Sequence, residues 1–151
     1  MASKYQLIWI TDLIALGSTF EKEDIPAIKK RGVSAIVDVR SEGRDDQALI
    51  EQSGMRYLHI EVDDRRVPSK EQFDAIFKFV LPIVRAKKKV LVHCHFGHGR
   101  SPIVVIAILV ELGMDVGEAL QLVKQKHMDL AFTEEQEEFI RGMIKSADWD
   151  W

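Results

Sequence analysis

The chain has 151 residues, of which 46% are hydrophobic and 30% are charged. These proportions are typical of one globular domain and exclude an intrinsically disordered chain. The formal net charge is −3, so no overall basic field favours a nucleic acid or an anionic membrane as partner. Any attraction for an anionic ligand must therefore be local.

The N-terminal apolar stretch is interrupted by Thr11 and Asp12, and no small-residue cleavage site follows it. We therefore do not expect a signal peptide. The longest apolar run, residues 103–110, is too short to span a bilayer, so no membrane partner is expected. Cys94 is the single cysteine, which rules out an internal disulfide and makes a cytoplasmic location the default expectation.

Four short β-rich runs lie at residues 5–11, 35–39, 56–62 and 89–93. The second and fourth, AIVDV and KVLVH, are nearly continuous apolar runs, as in strands that are covered on both faces. Helical patterns separate the runs, and no linker or repeat divides the chain. We therefore expect one α/β domain over residues 1–151, with a central, mostly parallel, twisted sheet of four to five strands flanked by helices.

The clearest helical pattern spans residues 69–86 and begins with a capping pattern. Pro82 lies inside it and predicts a kink or an early end. Residues 102–112 are apolar on all sides, which indicates a buried helix. Capping patterns at Asp115 and Thr133 predict two further amphipathic helices.

The most informative segment is V-L-V-H-C-H-F-G-H-G-R-S-P at residues 90–102, where an apolar strand, a glycine-containing loop and an apolar helix follow one another. Amides in such a loop and at the helix N-terminus favour an anion, and glycines let the backbone turn several amides inward. Arg100 adds a planar fork that binds two phosphate oxygens. The expected substrate-binding residues are His95, Phe96, Gly97, His98, Gly99 and Arg100.

Cys94 stands at the start of this loop. The positive surroundings that hold a phosphate also favour the thiolate form of a cysteine. A thiolate beneath a bound phosphoryl group is a nucleophile in line with phosphorus, and its attack gives a phosphocysteine. Ser101 is placed to donate a hydrogen bond to the sulfur when the sulfur leaves.

The pattern His-Cys-x2-Gly-x2-Arg-Ser resembles that of the cysteine-based protein tyrosine phosphatase superfamily, in its compact dual-specificity branch; it is carried by His93, Cys94, Gly97, Arg100 and Ser101. Less specific similarity at residues 10–18, 35–40 and 136–140 extends over most of the chain. The resemblance implies hydrolysis of phosphotyrosine, with phosphoserine and phosphothreonine as further substrates, in a phosphorylated protein or peptide. It implies no metal and no cofactor. It also implies that His93 holds the loop and tunes the thiolate.

The resemblance further implies a general acid, an aspartate on a separate loop that precedes the cysteine. Asp63 and Asp64 both fall in the expected window. We assign Asp64, which lies directly before the loop at residues 65–68, and expect Asp63 at the end of a strand; Asp63 stays open as the alternative. The acid would protonate the leaving group and then activate water, typically worth about 10²–10⁴-fold in rate.

Other polar residues have less specific interpretations. His93, Cys94, His95 and His98 do not predict a metal site, because neighbouring residues at a strand end point to opposite faces. The candidate arginines for attracting a phosphate to the entrance are Arg40, Arg44, Arg65 and Arg66. His59 and His127 are read as structural, and Trp149 and Trp151 as a tail of undecided role.

Three alternatives to a protein phosphatase remain open. A rhodanese-type sulfurtransferase also uses a cysteine on an anion-binding loop, but it requires neither His93 nor the Asp64 loop. A non-catalytic phosphate-binding module would be expected to lack the cysteine, the arginine or the acid. A phosphatase could instead act on a phosphoinositide or an RNA 5′-phosphate, against which the low net charge and the histidines of the loop argue modestly.

Overall fold

The computed structural model describes residues 5–145. The strands are β1 (Leu7–Trp9), β2 (Ile14–Gly17), β3 (Val33–Asp38), β4 (Arg56–His59) and β5 (Lys89–His93). The helices are α1 (Ile25–Lys30), α2 (Gln47–Gln52), α3 (Lys70–Arg85), α4 (Arg100–Glu111), α5 (Val116–Lys126) and α6 (Glu134–Lys145), with a short 3₁₀ turn at Lys22–Asp24. The tail containing Trp149 and Trp151 lies outside the described residues.

The strands form one twisted five-stranded sheet in the order β1-β2-β5-β3-β4. The β1–β2 pair is antiparallel, and the three other neighbouring pairs are parallel. The expected α/β fold with a mostly parallel sheet is confirmed. Because β2, β5 and β3 run in the same direction, their carboxyl ends meet at one edge, where open α/β sheets generally bind ligands.

Side chains alternate between two apolar clusters on the two faces of the sheet. Val90 and Val92 of β5 belong to the larger cluster, which α3, α4, α5 and α6 cover. Leu91 points to the other face, where Ile36 and residues of α1 and α2 complete a smaller cluster. This arrangement explains why the run KVLVH is apolar throughout. Helix α4 is buried along almost its whole length, as its uniformly apolar sequence predicts.

Two of the predicted strands are shorter than the runs that predicted them. The run at residues 56–62 is a strand only to His59. The run at residues 5–11 is a strand only to Trp9, because the Thr11 hydroxyl accepts hydrogen bonds from the amides of Leu13 and Ile14 and turns the chain back as β2. An early end at Pro82 is also wrong, because helix α3 continues to Arg85; a kink at Pro82, the other alternative, stays a prediction. Pro82 lies in the last turn, so its missing N–H removes one hydrogen bond near the helix end. No helix within residues 5–145 is long and apolar enough to cross a lipid bilayer.

Candidate active site

The loop between β5 and α4 is held by the neighbouring strands. β5 ends at His93 and α4 begins at Arg100. The amide of Val39, just after β3, donates to the carbonyl of His93 at 3.0 Å, and the amide of Thr19, just after β2, donates to the carbonyl of His95 at 2.9 Å. Backbone hydrogen bonds from both sides therefore fix where the loop leaves the sheet.

Gly97 adopts a conformation that the loop requires. Its φ of +78° lies in the left-handed region, and a Cβ at this position would stand 2.9 Å from the carbonyl oxygen of Gly17. Its amide donates to Cys94 Sγ at 3.3 Å. Its carbonyl faces the other way and accepts a hydrogen bond from the Nε2 atom of the buried His127 at 2.7 Å. His127 is thus structural as predicted, and it acts directly on the loop.

Cys94 lies at the base of a pocket of about 210 Å³. Only 3% of this residue is exposed, and its sulfur is 3.3 Å from the hydroxyl of Ser101 in the first turn of α4. The predicted Cys94–Ser101 hydrogen bond is therefore within reach in the folded chain. The residues that line the pocket are Asp64, Arg65, Cys94, Phe96, His98, Gly99, Arg100, Ala131, Thr133 and Gln136.

The Arg100 guanidinium is buried beside Cys94, with 2% of the residue exposed. Its two terminal nitrogens, Nη1 and Nη2, each donate to a different carboxylate oxygen of Glu42 at 2.7 Å, and Nη1 also donates to the carbonyl of Val62 at 2.9 Å. No acceptor within residues 5–145 forms a hydrogen bond with the Nε–H group of Arg100. The edge formed by Nε and Nη2 thus remains able to bind two phosphate oxygens.

The contact between Glu42 and Arg100 shifts the pKa of both side chains. The hydrogen bond from Arg100 lowers the pKa of Glu42 to about 2. Burial would lower the pKa of Arg100, but the bond to Glu42 and the nearby charges of Cys94 and Asp64 raise it above its ordinary value. Sequence reasoning missed Glu42. One signal in the sequence could have indicated Glu42: it lies in the loop after β3, and β3 is the strand next to β5.

Of the two candidate acids, Asp64 lies at the pocket. Its carboxylate is 3.7 Å from Arg100 Nη2, and its side chain is 67% exposed at the pocket wall. Asp63 is exposed and does not line this pocket. It is also not in a strand, because β4 ends at His59.

Hydrogen bonds connect the loop that carries Asp64 to the start of α6. Thr133 Oγ1 donates to the carbonyl of Arg65 at 2.9 Å, and Gln136 Nε2 donates to the carbonyl of Arg66 at 3.1 Å. Thr133 and Gln136 also form the predicted capping box. Gln136 was predicted only as a cap, yet its buried amide lines the pocket and its oxygen would be 2.8 Å from a Cβ on Gly99.

The rim of the pocket is aromatic. Phe96 is 60% exposed; its ring packs edge-on against His95 at 4.2 Å between centroids and stacks with His98 at 5.9 Å. Phe96, His98 and Gly99 line the pocket above Cys94, whereas His95 lines an adjoining depression. The roles of these four residues in substrate binding stay predictions.

Four polar side chains surround His93 behind the loop. His93 Nδ1 lies 3.2 Å from the carbonyl oxygen of Cys94, and Nε2 lies 2.6 Å from Asp45 Oδ2. Arg40 binds both Asp38 and Asp45, and Tyr57 donates to Asp38 at 2.9 Å. Burial raises the pKa of Asp38, but the Arg40 hydrogen bond and the charge of His93 bring it below its ordinary value.

The arginines expected at the entrance have different environments. The side chain of Arg40 is 12% exposed and bound within this buried network, so its predicted place at the entrance is wrong. Arg44 donates to Gln47 on the surface, and Arg66 forms an exposed ion pair with Glu135. Arg65 lines the pocket. His59 is structural as predicted, with Nε2 at 2.7 Å from the carbonyl of Arg40.

Comparison with known proteins decides the family. The family model described as polymorphic toxin system, DSP-PTPase phosphatase matches residues 15–114, which include the whole loop between β5 and α4. The chain belongs to the dual-specificity branch of the cysteine-based protein tyrosine phosphatases. Its match to the superfamily signature is therefore more than a local resemblance.

Individual relatives agree with this assignment. Protein tyrosine phosphatase type IVA 2 of Mus musculus is 33% identical over 101 residues, which are 66% of this chain and 60% of that protein. The human type IVA 3 enzyme is 32% identical over 108 residues, or 68% and 60% of the two chains. The match thus spans less than two thirds of the length of these relatives.

Solved structures agree with the fold along almost the whole chain. The crystal structure of Tk-PTP in the active form superposes with a TM-score of 0.81 at 29% identity, covering 92% of this chain and 96% of that one. The structure of PTPMT1 in complex with PI(5)P superposes with a TM-score of 0.80 at 19% identity, covering 95% and 96%. At that lower identity the likeness concerns the fold alone.

Proposed function

We propose that residues 1–151 form a phosphatase catalytic domain that hydrolyses phosphotyrosine, phosphoserine and phosphothreonine in proteins through a phosphocysteine at Cys94. One observation carries the proposal. Cys94, Arg100 and Asp64 line a single pocket, in which the Asp64 carboxylate is 3.7 Å from Arg100 Nη2. Neither a metal ion nor an organic cofactor is required for the steps that these groups perform.

In the first step the Cys94 thiolate attacks phosphorus, the S–P bond forms and the bond from phosphorus to the leaving oxygen breaks. Arg100 and the loop amides stabilise the charge on the three equatorial oxygens, where the transition state carries most of it. Asp64 gives its proton to the leaving oxygen. The exposed position of Asp64 in the lining of the pocket supports this role, because an exposed carboxyl group is accessible to the leaving group of an entering substrate.

In the second step a water molecule replaces the leaving group. Asp64, now ionised, takes a proton from the water, whose oxygen attacks phosphorus. The S–P bond breaks, inorganic phosphate leaves, and the Ser101 hydroxyl, 3.3 Å from the sulfur, stabilises the returning thiolate. The amide of Gly97 at 3.3 Å gives the thiolate a second donor.

The rim favours a protein substrate over a lipid. The exposed ring of Phe96 offers an apolar surface to the phosphorylated side chain, and none of the described residues that line the pocket is a lysine. PTPMT1, whose structure was determined with PI(5)P, shares the fold, so a phosphoinositide stays the second candidate. Membership of a phosphatase family argues against the sulfurtransferase alternative. A cytoplasmic location remains a prediction from the cysteine count.

Hydrolysis of p-nitrophenyl phosphate, in the presence of a reductant and a metal chelator, tests the proposal. We expect turnover by the wild type and none by Cys94→Ser, with circular dichroism showing that both are folded. A folded wild type without turnover would contradict the phosphatase activity. Phosphotyrosyl and phosphoseryl peptides and phosphatidylinositol 5-phosphate, compared by kcat/KM, then decide the substrate class.

A further inference from the structure

A buried polar network lies directly behind the loop and outside the pocket. Asp38 and His93 are fully buried, and Asp45 is 9% exposed. None of these three residues lines the pocket above Cys94. The network connects the segment before α2 with the end of β5, because Asp45 Oδ2 lies 2.6 Å from His93 Nε2.

Both ring nitrogens of His93 face oxygen acceptors. Nε2 faces the carboxylate of Asp45, and Nδ1 faces the carbonyl of Cys94 at 3.2 Å. A neutral imidazole has one N–H and can satisfy only one of these contacts, whereas the doubly protonated ring satisfies both. The geometry therefore favours an imidazolium.

The count of charges agrees with this assignment. The network holds two carboxylates, Asp38 and Asp45, and Arg40 supplies one positive charge that it shares between them at 2.9 and 3.1 Å. An imidazolium at His93, 3.9 Å from Asp38 and 2.6 Å from Asp45, supplies the second. The other group with a titrating proton in the network, the Tyr57 hydroxyl, stays neutral since burial raises its pKa.

A metal ion is a poor occupant for the same cluster. Ligand atoms of Asp38, Asp45 and His93 do lie within 4.8 Å of one another. However, the Arg40 guanidinium already binds both carboxylates, and Tyr57 donates to Asp38. A metal cation at this place would be repelled by the positive charge of Arg40.

Stability alone does not account for the network. Burying ion pairs is generally no more favourable than packing apolar side chains of similar volume. His93, a member of this network, directly precedes Cys94 in the chain. Its ring packs against the ring of Phe20, with 4.9 Å between the centroids. Its position therefore points to the nucleophile.

We propose that Asp45 is a positioning residue for Cys94: it holds His93 as an imidazolium, and this ring orients the Cys94 carbonyl and stabilises the adjacent thiolate. The inference rests on the proposed role of Cys94 as nucleophile. Asp45 does not line the pocket, so it acts on Cys94 through its contact with His93. Loss of its charge should change the reactivity of Cys94 even when no substrate is present.

Alkylation of Cys94 by iodoacetamide tests this directly, because it reports the thiolate and needs no phosphatase turnover. We compare wild type with Asp45→Asn over pH 5–9. Without the Asp45 carboxylate the His93 ring should lose its second proton, so the Cys94 thiolate loses a nearby positive charge and alkylation near pH 6 should slow by about tenfold. Unchanged alkylation in a folded Asp45→Asn variant would overturn the proposal.

Asp46→Asn is the matched control. Asp46 is the next residue, and its carboxylate caps α2 by accepting the amide of Leu49 at 3.0 Å, a role that asparagine retains. Its alkylation profile should match that of the wild type. An equal slowing in both variants would show a general charge effect and would overturn the assignment to Asp45.

A measurement on the wild type keeps the proposal testable if Asp45→Asn does not fold. The imidazole ¹⁵N chemical shifts of His93 at pH 7 should show protons on both ring nitrogens, and a single neutral tautomer would overturn the proposal. Failure of the proposed function is distinguishable, because it would appear as absent turnover of p-nitrophenyl phosphate and not in the alkylation profile.

Discussion

Glu42 binds both terminal nitrogens of Arg100 at 2.7 Å, from a position 58 residues earlier in the chain. This contact holds the guanidinium in one position and leaves its Nε–H group without a hydrogen-bond acceptor among residues 5–145. A flexible arginine would have to be ordered each time a phosphate binds. Glu42 therefore contributes preorganisation to the site, although it does not touch the substrate.

Glu42→Gln should lower kcat/KM for p-nitrophenyl phosphate by about 10- to 100-fold, because the guanidinium loses its charged, bidentate partner. Inorganic phosphate should also inhibit the variant more weakly. Glu51→Gln is the matched control, since Glu51 is exposed and accepts a hydrogen bond from Gln47. Equal activity of Glu42→Gln and the control would contradict the positioning role.

The same pair predicts a pH dependence of stability. The pKa of Glu42 is about 2 in the folded chain against an ordinary value of 4.5. A depressed carboxyl pKa stabilises the fold fully above pH 4.5, and this contribution is lost as the pH falls toward 2. Urea unfolding should therefore show a stability advantage of the wild type over Glu42→Gln at pH 6 that shrinks at pH 3. A constant advantage would indicate that the charge of Glu42 is not its source.

Asp64→Asn should reduce turnover of a phosphoseryl peptide by about 10²–10⁴-fold, because the serine oxygen needs a proton in order to leave. The loss should be smaller for p-nitrophenyl phosphate, whose leaving group needs less help. Asp63→Asn, one residue away and outside the pocket, serves as the control. A larger loss in Asp63→Asn would transfer the role of general acid to Asp63.

Gly97→Ala should abolish most activity. Both Gly97 and Gly113 have positive φ, at +78° and +105°, so alanine strains the backbone at either site. A Cβ at Gly97 also meets the Gly17 carbonyl at 2.9 Å, whereas nothing lies within 4 Å of a Cβ at Gly113. Gly113→Ala should thus lose some stability and keep its activity. Similar kcat/KM in the two variants would mean that the loop tolerates the displacement.

The local part of the site was predictable from sequence. Cys94 follows strand β5 and Arg100 is the first residue of helix α4, so their spacing alone predicts that both line one pocket. The alternation of β5 between two apolar faces was likewise predictable, since a strand covered on both sides needs a continuous apolar run.

The supporting residues come from distant parts of the chain and could not be found this way. Glu42, Asp45 and Gln136 reach the loop only because β3, α2 and α6 pack around it, and each looks like an ordinary surface residue in sequence. Arg40 was misplaced for the same reason, because its partner Asp38 is recognisable only once β3 is known to end beside β5.

The central claim is that Cys94 becomes phosphorylated during turnover. The Asp64→Asn variant should accumulate this intermediate with p-nitrophenyl phosphate. Nitrophenolate leaves readily without an acid, so the phosphocysteine forms, but no base activates the water that would hydrolyse it. Acid quenching followed by peptide mass spectrometry should find one phosphoryl group on the peptide that contains Cys94, and none after Cys94→Ser. Rapid release of nitrophenolate with no phosphoryl group on Cys94 would contradict the account.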